Sequence, residues 1–252
     1  MNLGLTDKRV LLTGASRGIG RAIARALAEE GAVIFGVARN RADLERAMSV
    51  LPQGLARHGM GVLDLGEPGA CEALHQQMVD QMGVPDIIVH NVGGSLGVTS
   101  SLAPLSDWQK VWRLNVGIAI ELNNLFLPAM IEKRWGRVVH LSTISTQSFH
   151  GNPAYVSAKC ALNGYVKSVG RSVAKDNVVL SALMPGPVRI EGRYFALLER
   201  ENPVAMEEYM RHHQSSGRLG APEEIASVVL FLCSEQASFT NACIFPVDGG
   251  NM

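Results

Sequence analysis

A short apolar run leads directly into a glycine-rich turn near the start of the chain. Arg9–Thr13 is rich in aliphatic residues, and Gly14, Gly18 and Gly20 follow it before a periodic helix that stops at Gly31. Glycines at a strand-to-helix junction let the backbone approach a pyrophosphate at the positive end of a helix. The turn therefore predicts a dinucleotide site, although glycines that serve only turn geometry and helix packing would produce the same pattern.

Strands and helices alternate along the rest of the chain. Apolar runs predict further strands at residues 33–38, 61–63, 87–89, 137–141, 178–183 and 244–247. Amphipathic stretches between them predict helices at residues 67–82, 106–133, 154–175 and 222–233. This alternation is typical of βαβ units, and no linker or repeat divides the sequence. We therefore expect one α/β domain, residues 1–252, built on a doubly wound parallel sheet.

The composition excludes several other classes of protein. The 252 residues include 23 basic and 23 acidic side chains, so the net charge is zero and no nucleic-acid or membrane-binding surface is indicated. A hydrophobic fraction of 47% is enough to bury a sizeable core, which disfavours disorder. The four cysteines lack metal-ligand spacing, and no signal-like apolar segment opens the sequence. We expect buried thiols in a cytoplasmic protein.

One polar segment, residues 190–217, interrupts the alternation before the helix that starts at Pro222. Ligands of doubly wound sheets bind beyond the carboxyl ends of the strands, where long insertions often act as lids. We therefore expect this segment to cover the substrate. The segment and its edge carry cations that could contact an anionic substrate tail or form a solvated face, namely Arg189, Arg193, Arg211, His212 and His213.

Tyr155 and Lys159 lie four residues apart in a predicted helix. Side chains at this spacing project from one face, so the phenol and the ammonium would share the same space. A nearby cation favours phenolate and would lower the pKa of Tyr155 toward working pH, where it can exchange protons with an alcohol or a carbonyl. The same spacing also arises on solvated helix faces.

Together with the glycine-rich turn, the Tyr-x-x-x-Lys pattern resembles the short-chain dehydrogenase/reductase family over residues 8–250. The matching motifs are the cofactor turn at residues 13–20, the adenine-pocket pair at 64–65, the Asn-Asn-Ala-Gly segment at 90–93, the stretch beside the nicotinamide at 185–188, and the closing motifs at 218–225 and 247–250. The resemblance implies a Rossmann-type fold, a nicotinamide cofactor and no metal.

Four residues fall where the catalytic tetrad of this family is expected, namely Asn115, Ser142, Tyr155 and Lys159. The resemblance implies that Tyr155 protonates the carbonyl oxygen during reduction, while Ser142 donates a hydrogen bond to that oxygen. Lys159 would hold the nicotinamide ribose and favour the tyrosinate, and Asn115 would anchor a water that connects the lysine to solvent. Taken alone, Ser142 is one of several hydroxyls in its loop, and Asn115 could mark only a helix kink or a backbone hydrogen bond.

The charge pattern after the second strand indicates which cofactor is bound. A selective NAD site places a carboxylate there, where it would repel a 2′-phosphate. Ala38 occupies that position, Arg39 follows it, and Arg17 lies within the glycine-rich turn. We therefore expect NADP(H), unless both arginines are only solvated surface residues. The expected cofactor-binding residues are Gly14, Ser16, Arg17, Gly18, Ile19, Gly20, Arg39, Asp64, Leu65, Asn91, Gly93, Tyr155, Lys159, Pro185, Gly186 and Val188.

The chain departs from the family pattern at several positions. His90 and Val92 replace the first Asn and the Ala of the Asn-Asn-Ala-Gly segment, which we expect to change packing without abolishing cofactor binding. Ile190 stands where a threonine commonly contacts the nicotinamide carboxamide, so backbone groups alone are expected to hold it. His140 lies two residues before Ser142 in a predicted strand and is expected to be a satisfied core residue.

The substrate is expected to bind between residues 94–101, 142–151 and 190–217. Similarity to 3-oxoacyl-carrier-protein reductases favours an NADP(H)-dependent oxidoreductase that reduces a 3-oxoacyl thioester. A sugar, nucleotide-sugar or polyol dehydrogenase is the alternative. A dinucleotide-binding sensor without catalysis is a further alternative, which the presence of both Tyr155 and Lys159 disfavours.

The resemblance also implies a homo-oligomer, specifically a homotetramer. Apolar stripes on two predicted helices agree with a closed symmetric interface, although they would look similar in the core of a monomer. These stripes comprise Leu114, Ile118, Leu122, Leu125, Ala161, Leu162, Tyr165 and Val169.

Overall fold

The computed structural model describes residues 2–54 and 56–251, and its strands form one seven-stranded parallel sheet in the order β3-β2-β1-β4-β5-β6-β7. The strands are β1 (Arg9–Thr13), β2 (Val33–Ala38), β3 (Gly59–Val62), β4 (Ile87–His90), β5 (Gly136–Leu141), β6 (Val178–Pro185) and β7 (Cys243–Val247). The helices are α1 (Gly18–Glu29), α2 (Arg41–Ser49), α3 (Ala70–Met82), α4 (Leu105–Trp112), α5 (Ile118–Lys133), α6 (Ser145–Ser148), α7 (Pro153–Val173), α8 (Tyr194–Glu201), α9 (Pro203–His213) and α10 (Pro222–Cys233). The predicted doubly wound α/β fold is confirmed.

Helices cover both faces of the sheet. Every residue of β2, β4, β5 and β6 is buried, which explains why the sequences of these strands are nearly continuous apolar runs. Ile23 of α1 and Val229 of α10 belong to one hydrophobic core. Leu74 of α3, Phe126 of α5 and Val166 of α7 belong to a second core. The sheet therefore separates two apolar layers.

The direction of winding reverses next to β1. The chain first builds outward from β1 to β2 and β3, and then returns to add β4 on the other side of β1. Connections that diverge from two neighbouring parallel strands leave a crevice beyond their carboxyl ends, where ligands of such sheets bind. Thr13 at the end of β1 and His90 at the end of β4 therefore border the candidate site.

The apolar pattern does not predict α2. Most of this helix is charged, and only Leu44, Ala47 and Met48 are buried. Its start depends instead on Asn40, whose side-chain oxygen accepts a hydrogen bond from the backbone N–H of Asp43 at 2.9 Å.

A π-helical turn, Arg113–Gly117, separates α4 from α5 and interrupts the helix predicted at residues 106–133. Turns of this kind are rare and often occur at functional sites. The stretch Leu105–Lys133 is long and apolar enough to cross a membrane, but 56% of its most apolar window is buried inside the protein. It is a core helix, and Asn115 lies within its π-helical turn.

Residues 190–217, called the lid segment after their expected role, include two helices, α8 and α9. The rings of Phe195 and Tyr209 join the two helices, with centroids 5.1 Å apart. His213 at the end of α9 contacts His150 with ring centroids 5.3 Å apart, which connects the segment to the loop that precedes α7.

The apolar stripes expected at an oligomer interface are partly internal. Ile118, Leu122 and Leu162 are at most 2% exposed in a single chain, because they pack into its own hydrophobic cores. These three side chains therefore do not indicate an interface, and the tetramer stays a prediction from the resemblance.

The cysteines only partly match the expectation of buried thiols. All four are free, and Cys71 and Cys233 are buried, whereas Cys160 and Cys243 are half-buried. Burial raises the pKa of the Cys71 thiol to about 12, so this side chain is an unreactive part of the core.

Candidate active site

The glycine-rich turn is held in shape by a side chain from the end of β4. Gly14 and Gly18 have φ angles of +72° and +53°, in the left-handed region that favours glycine. A Cβ atom on Gly20 would collide with the carbonyl oxygen of Gly14. Asn91 Nδ2 donates hydrogen bonds to the carbonyl oxygens of Thr13 and Gly14, both at 3.1 Å. Asn91, predicted to bind the cofactor, therefore supports the turn through its amide.

Thr13 makes a second connection between the two central strands. It belongs to the cofactor-turn motif but is not among the expected cofactor-binding residues. Its Oγ1 accepts hydrogen bonds from the backbone N–H groups of Asn91 at 3.0 Å and Val92 at 3.2 Å. The same hydroxyl donates to the carbonyl oxygen of Val89 at 3.4 Å. A hydroxyl at the buried end of the strand before the glycines was the available sequence signal.

The first turn of α1 faces the crevice at the switch point. The helix begins at Gly18, and its free N–H groups and positive dipole end favour an anion. Ser16 and Ile19 are half-buried at this turn. The Ile190 side chain lies 3.0 Å from the position that a Cβ on Gly18 would occupy. The start of the lid segment therefore packs against the glycine-rich turn.

Two arginines from separate segments, Arg17 and Arg39, lie within electrostatic range of Arg193. Desolvation lowers the pKa of Arg193, and the positive charges of Arg17 and Arg39 lower it further. Arg39 also forms an exposed ion pair with Asp64 at 3.3 Å. A cluster of like charges drawn from the turn, the end of β2 and the lid segment would be stabilised by a bound phosphate.

The remaining predicted cofactor-binding residues differ in their burial and in which of their atoms a cofactor could contact. The Leu65 side chain is 3% exposed and belongs to the core, so this residue can present only its backbone to an adenine. β6 ends at Pro185, and a Cβ on Gly186 would lie 2.6 Å from the Cα of Asp248, so only glycine fits there. Val188 is 8% exposed and forms a β-bridge with Gly220.

Tyr155 and Lys159 share one face of α7. The Lys159 Nζ lies 5.9 Å from the centre of the Tyr155 ring and donates a hydrogen bond to the carbonyl oxygen of Leu141 at 2.6 Å. Burial lowers the pKa of Lys159 to about 7. The lysine can therefore gain or lose a proton near neutral pH.

The expected lowering of the Tyr155 pKa is wrong for the isolated chain. Burial raises the pKa of Tyr155, and a hydrogen bond with Thr143 offsets only part of this effect. The cation does not dominate because Lys159 loses affinity for its own proton on burial and donates toward Leu141. Thr143 is a further site residue that the sequence pattern did not single out among its hydroxyl-rich neighbours.

Ser142 lies directly after β5, between the two residues that contact Tyr155 and Lys159. It is 5% exposed, and its Oγ has no hydrogen-bond partner in the described part of the chain. Its backbone N–H donates to the carbonyl oxygen of Leu183 at 2.7 Å, which fixes its position. An unpaired buried hydroxyl costs about 1–3 kcal/mol, so a hydrogen-bond acceptor from a ligand would stabilise it.

Asn115 both marks a helix distortion and anchors the backbone. Its Nδ2 donates to the carbonyl oxygens of Gly94 and Val111, each at 2.8 Å, and its Oδ1 accepts from the Gly94 N–H at 3.0 Å. A Cβ on Gly93 would lie 2.7 Å from Asn115 Oδ1 and 3.1 Å from Lys159 Nζ. The loop after β4 therefore passes close to both predicted catalytic residues.

A large cleft lies elsewhere in the described part of the chain. It has a volume of about 720 Å³ and is bordered by Arg189, Met206 and Arg218, between the lid segment and the start of α10. None of the four predicted catalytic residues lines it within the described ranges. This cleft is therefore separate from the buried serine and the Tyr155–Lys159 pair.

The sheet, the glycine-rich turn at its switch point and the four-residue spacing of Tyr155 and Lys159 define a nicotinamide-dependent oxidoreductase. A family model described as enoyl-(acyl carrier protein) reductase matches residues 14–251. The chain belongs to the short-chain dehydrogenase/reductase family, whose members act on carbonyl and CH–OH groups.

Relatives of the chain extend over its full length. The 3-oxoacyl-[acyl-carrier-protein] reductase FabG of Aquifex aeolicus is 34% identical over 257 residues and covers 99% of both proteins. The crystal structure of L-sorbose reductase from Gluconobacter frateurii, complexed with NADPH and L-sorbose, has a TM-score of 0.92 at 30% identity and covers 99% of this chain and 98% of that one. A 7α-hydroxysteroid dehydrogenase complexed with NADH has a TM-score of 0.90 at 27% identity, covering 100% and 96%. The fold is thus shared by enzymes with different substrates and cofactors.

Proposed function

We propose that this protein is an NADP(H)-dependent oxidoreductase that interconverts a ketone and a secondary alcohol, with a 3-oxoacyl thioester as its carbonyl substrate. The observation that carries the proposal is the buried Oγ of Ser142, which has no partner among residues 2–54 and 56–251 and lies in the segment contacted by Tyr155 and Lys159. A substrate oxygen in that position would satisfy the serine hydroxyl.

The residues present fit a nicotinamide dinucleotide. The N-terminus of α1 offers unpaired N–H groups to a pyrophosphate, and the glycines before it carry no side chains that would obstruct the approach. Gly93 brings its backbone close to Lys159 Nζ, so a ribose hydroxyl held by the lysine would contact the loop after β4. When bound, the nicotinamide would supply or accept the hydride.

Residues of this chain would transfer the proton and stabilise the negative charge that develops on the carbonyl oxygen. Tyr155 would donate its phenolic proton to the carbonyl oxygen, and Ser142 would donate a hydrogen bond to the same oxygen. Lys159, with a pKa lowered by burial to about 7, would lower the cost of forming the phenolate when it is protonated. Asn115 holds the loop at Gly94 through two hydrogen bonds, and its place in the π-helical turn is where a relay water would be anchored.

NADP(H) is favoured over NAD(H) by the arrangement of charge at the end of β2. Arg17, Arg39 and Arg193 would surround a 2′-phosphate, and the Asp64 ion pair would have to loosen for Arg39 to contribute fully. The L-sorbose reductase relative binds NADPH, whereas the hydroxysteroid dehydrogenase relative was solved with NADH. Family membership alone therefore does not determine whether NADP(H) or NAD(H) binds, and the proposal depends on the charges at the end of β2.

The substrate class is supported by the full-length similarity to 3-oxoacyl-[acyl-carrier-protein] reductases. The structural similarity to L-sorbose reductase favours a ketose or polyol substrate as the second candidate. Exposed apolar side chains in the three segments expected to border the substrate would suit an acyl chain better than a sugar, because a sugar requires polar partners. These side chains are Leu96 and Phe149 in loops and Tyr194 at the start of α8.

The decisive experiment measures NADPH oxidation by the purified protein with acetoacetyl thioesters and with keto sugars such as L-sorbose. We expect turnover of the thioester and a loss of about 10²–10⁴-fold in kcat for Tyr155→Phe. Turnover of the sugar alone would establish the second candidate. If NADPH binds but Tyr155→Phe changes no rate on any substrate, the sensor interpretation replaces the enzyme.

A homotetramer in the cytoplasm is also proposed from the family resemblance. Exposed apolar side chains of α4 and the loop before it, Leu102, Leu105 and Trp112, offer a surface that a second copy could cover. Light scattering tests this, and a stable monomer of 27.1 kDa would contradict it.

A further inference from the structure

Four polar side chains form a connected network between the sheet and the helices α5 and α7. His90 Nε2 lies 2.8 Å from Asn123 Oδ1, and Asn123 Nδ2 lies 3.2 Å from His140 Nε2 and 3.0 Å from the hydroxyl of Tyr165. The two imidazole rings stack with centroids 4.7 Å apart. His90, Asn123 and His140 are at most 5% exposed. The expectation that His140 is a satisfied core residue is confirmed.

The network has one consistent assignment of hydrogens. His140 Nδ1 faces the carbonyl oxygen of Ser181 at 3.2 Å, so it must carry the proton and leave Nε2 as an acceptor. The Asn123 group that faces this acceptor is then the NH₂ group, and its Oδ1 must accept from His90 Nε2–H. In a neutral imidazole, the Nδ1 of His90 is consequently an acceptor.

This acceptor has no partner in the described part of the chain, and His90 lines a small enclosed cavity. The cavity measures about 10 Å³, which is close to the room that one water molecule needs. Lys159 and Asn115 line the same cavity. The Lys159 ammonium uses one of its three hydrogens on the Leu141 carbonyl and needs further acceptors.

We propose that His90 is a positioning residue for Lys159: its Nδ1 accepts a hydrogen bond from a water molecule in this cavity, and that water accepts one from the lysine ammonium. The water is thereby oriented with its oxygen toward the cation, which stabilises the charged lysine. This inference rests on the role that the proposed function gives to Lys159. His90 occupies a position that is asparagine in the family pattern, so the pattern by itself does not predict this route to the lysine.

The charges around the cavity agree with this arrangement. Burial and the charge of Lys159 together lower the pKa of His90 to about 4 against the opposing effect of its hydrogen bond with Asn123, so the imidazole is neutral at the pH where the lysine titrates. The other titratable groups that pack on His90 or its network are His140 of β5 and Tyr165 of α7. Burial keeps the pKa of His140 well below its usual value and raises that of Tyr165, so both are neutral.

Two substitutions test the roles of the two ring nitrogens of His90 separately. The amide of Gln places its polar atoms as many bonds from Cα as Nε2, whereas the amide of Asn places them as many bonds away as Nδ1. His90→Gln therefore keeps a donor for Asn123 and loses the acceptor in the cavity, and His90→Asn does the reverse. His75→Asn is the matched control, because His75 packs on Phe126 outside this network.

The first measurement is an NMR titration of Lys159, assigned by its disappearance in Lys159→Met, which needs no substrate. We expect His90→Gln to lower the pKa of Lys159 by about half a unit or more, with little change in His90→Asn and His75→Asn. Equal shifts in both His90 variants, or no shift in His90→Gln, overturn the proposal. A second measurement, the imidazole ¹⁵N shifts of the unsubstituted protein, must show His90 protonated on Nε2 only. It decides the assignment even if a variant does not fold.

Kinetics link the network to the reaction. In alcohol oxidation with NADP⁺, we expect His90→Gln to shift the pH profile of kcat to higher pH with little change in KM. A less charged lysine favours the phenolate less, so a higher pH is needed to form it. An unchanged profile alongside a lowered lysine pKa contradicts a role in the reaction. Absence of turnover with every ketone and alcohol would instead refute the proposed function, while the NMR result would still stand.

Discussion

The ammonium of Lys159 donates a hydrogen bond to the carbonyl oxygen of Leu141 at 2.6 Å, and this contact joins α7 to the end of β5. Burial lowers the pKa of Lys159 from 10.5 to about 7 in the folded protein. Between these two values the unfolded chain binds more protons than the folded one, so the free energy of unfolding increases with pH in this range.

Lys159→Met removes that titration. We expect the stability of the variant relative to the native protein to be greatest below pH 7, and to decrease by on the order of 4 kcal/mol as the pH rises to the unfolded value. Chemical denaturation at a series of pH values measures the difference. A difference that stays constant with pH would show that the buried lysine does not titrate as described.

Arg193 of the lid segment is expected to contribute to cofactor choice together with Arg39. Loss of one charge-assisted hydrogen bond to a phosphate corresponds to about 10–100-fold in affinity, so Arg39→Ala and Arg193→Ala should each weaken NADPH binding to this extent and leave NADH binding unchanged. Arg25→Ala, which removes an exposed ion pair with Glu29, is the control. An unchanged NADPH/NADH preference in both variants would refute the 2′-phosphate site.

Gly20→Ala should abolish dinucleotide binding, because the added methyl group would collide with the carbonyl oxygen of Gly14 and displace the turn. Gly164→Ala is a matched control in α7, where nothing lies within 4 Å of the added carbon. We expect this control to bind normally and to gain about 0.5–1 kcal/mol in stability, since alanine is the better helix former. Calorimetric titration with NADPH and thermal unfolding measure both effects.

Asp86 ties the start of β1 to the end of α5. It is 4% exposed, accepts a hydrogen bond from the Arg9 backbone N–H at 2.8 Å, and pairs with Lys133. Burial alone would raise the pKa of Asp86, but the hydrogen bonds and charges of Lys133 and Arg9 more than offset this and lower it below 3.8.

Asp86→Asn should therefore destabilise the protein by about 1–3 kcal/mol at neutral pH. The stabilisation by the carboxylate is fully present above its unfolded pKa and is lost as the pH falls through the folded value, so the difference should shrink in acid. Glu29→Gln, in an exposed ion pair, should change stability by less than about 1 kcal/mol. Urea denaturation of the three proteins distinguishes the two sites.

Local sequence patterns predicted most of the fold. The apolar runs located all seven strands. This pattern follows from burial on both faces for β2, β4, β5 and β6, whereas the edge strands β3 and β7 are mostly half-buried. α2 has no such pattern, since it covers the sheet with only three buried side chains and depends on an Asn40 cap. The π-helical turn was not predicted, and its Asn115 forms hydrogen bonds with Gly94, a residue of a distant loop that a local pattern does not report.

The candidate site likewise has features that the sequence predicts and features that only the structure shows. Glycine spacing and the four-residue interval from Tyr155 to Lys159 are properties of contiguous sequence, so they identify a dinucleotide turn and a proton-transfer pair without a structure. Other features depend on burial and on contacts between segments far apart in the chain. These are the Lys159 pKa, the unpaired Ser142 hydroxyl and the shared cavity of His90 and Lys159. By itself, the sequence determined the family and the positions of its chemical groups. Only the tertiary structure decided their protonation and partners, because desolvation and hydrogen bonding arise when distant segments pack together.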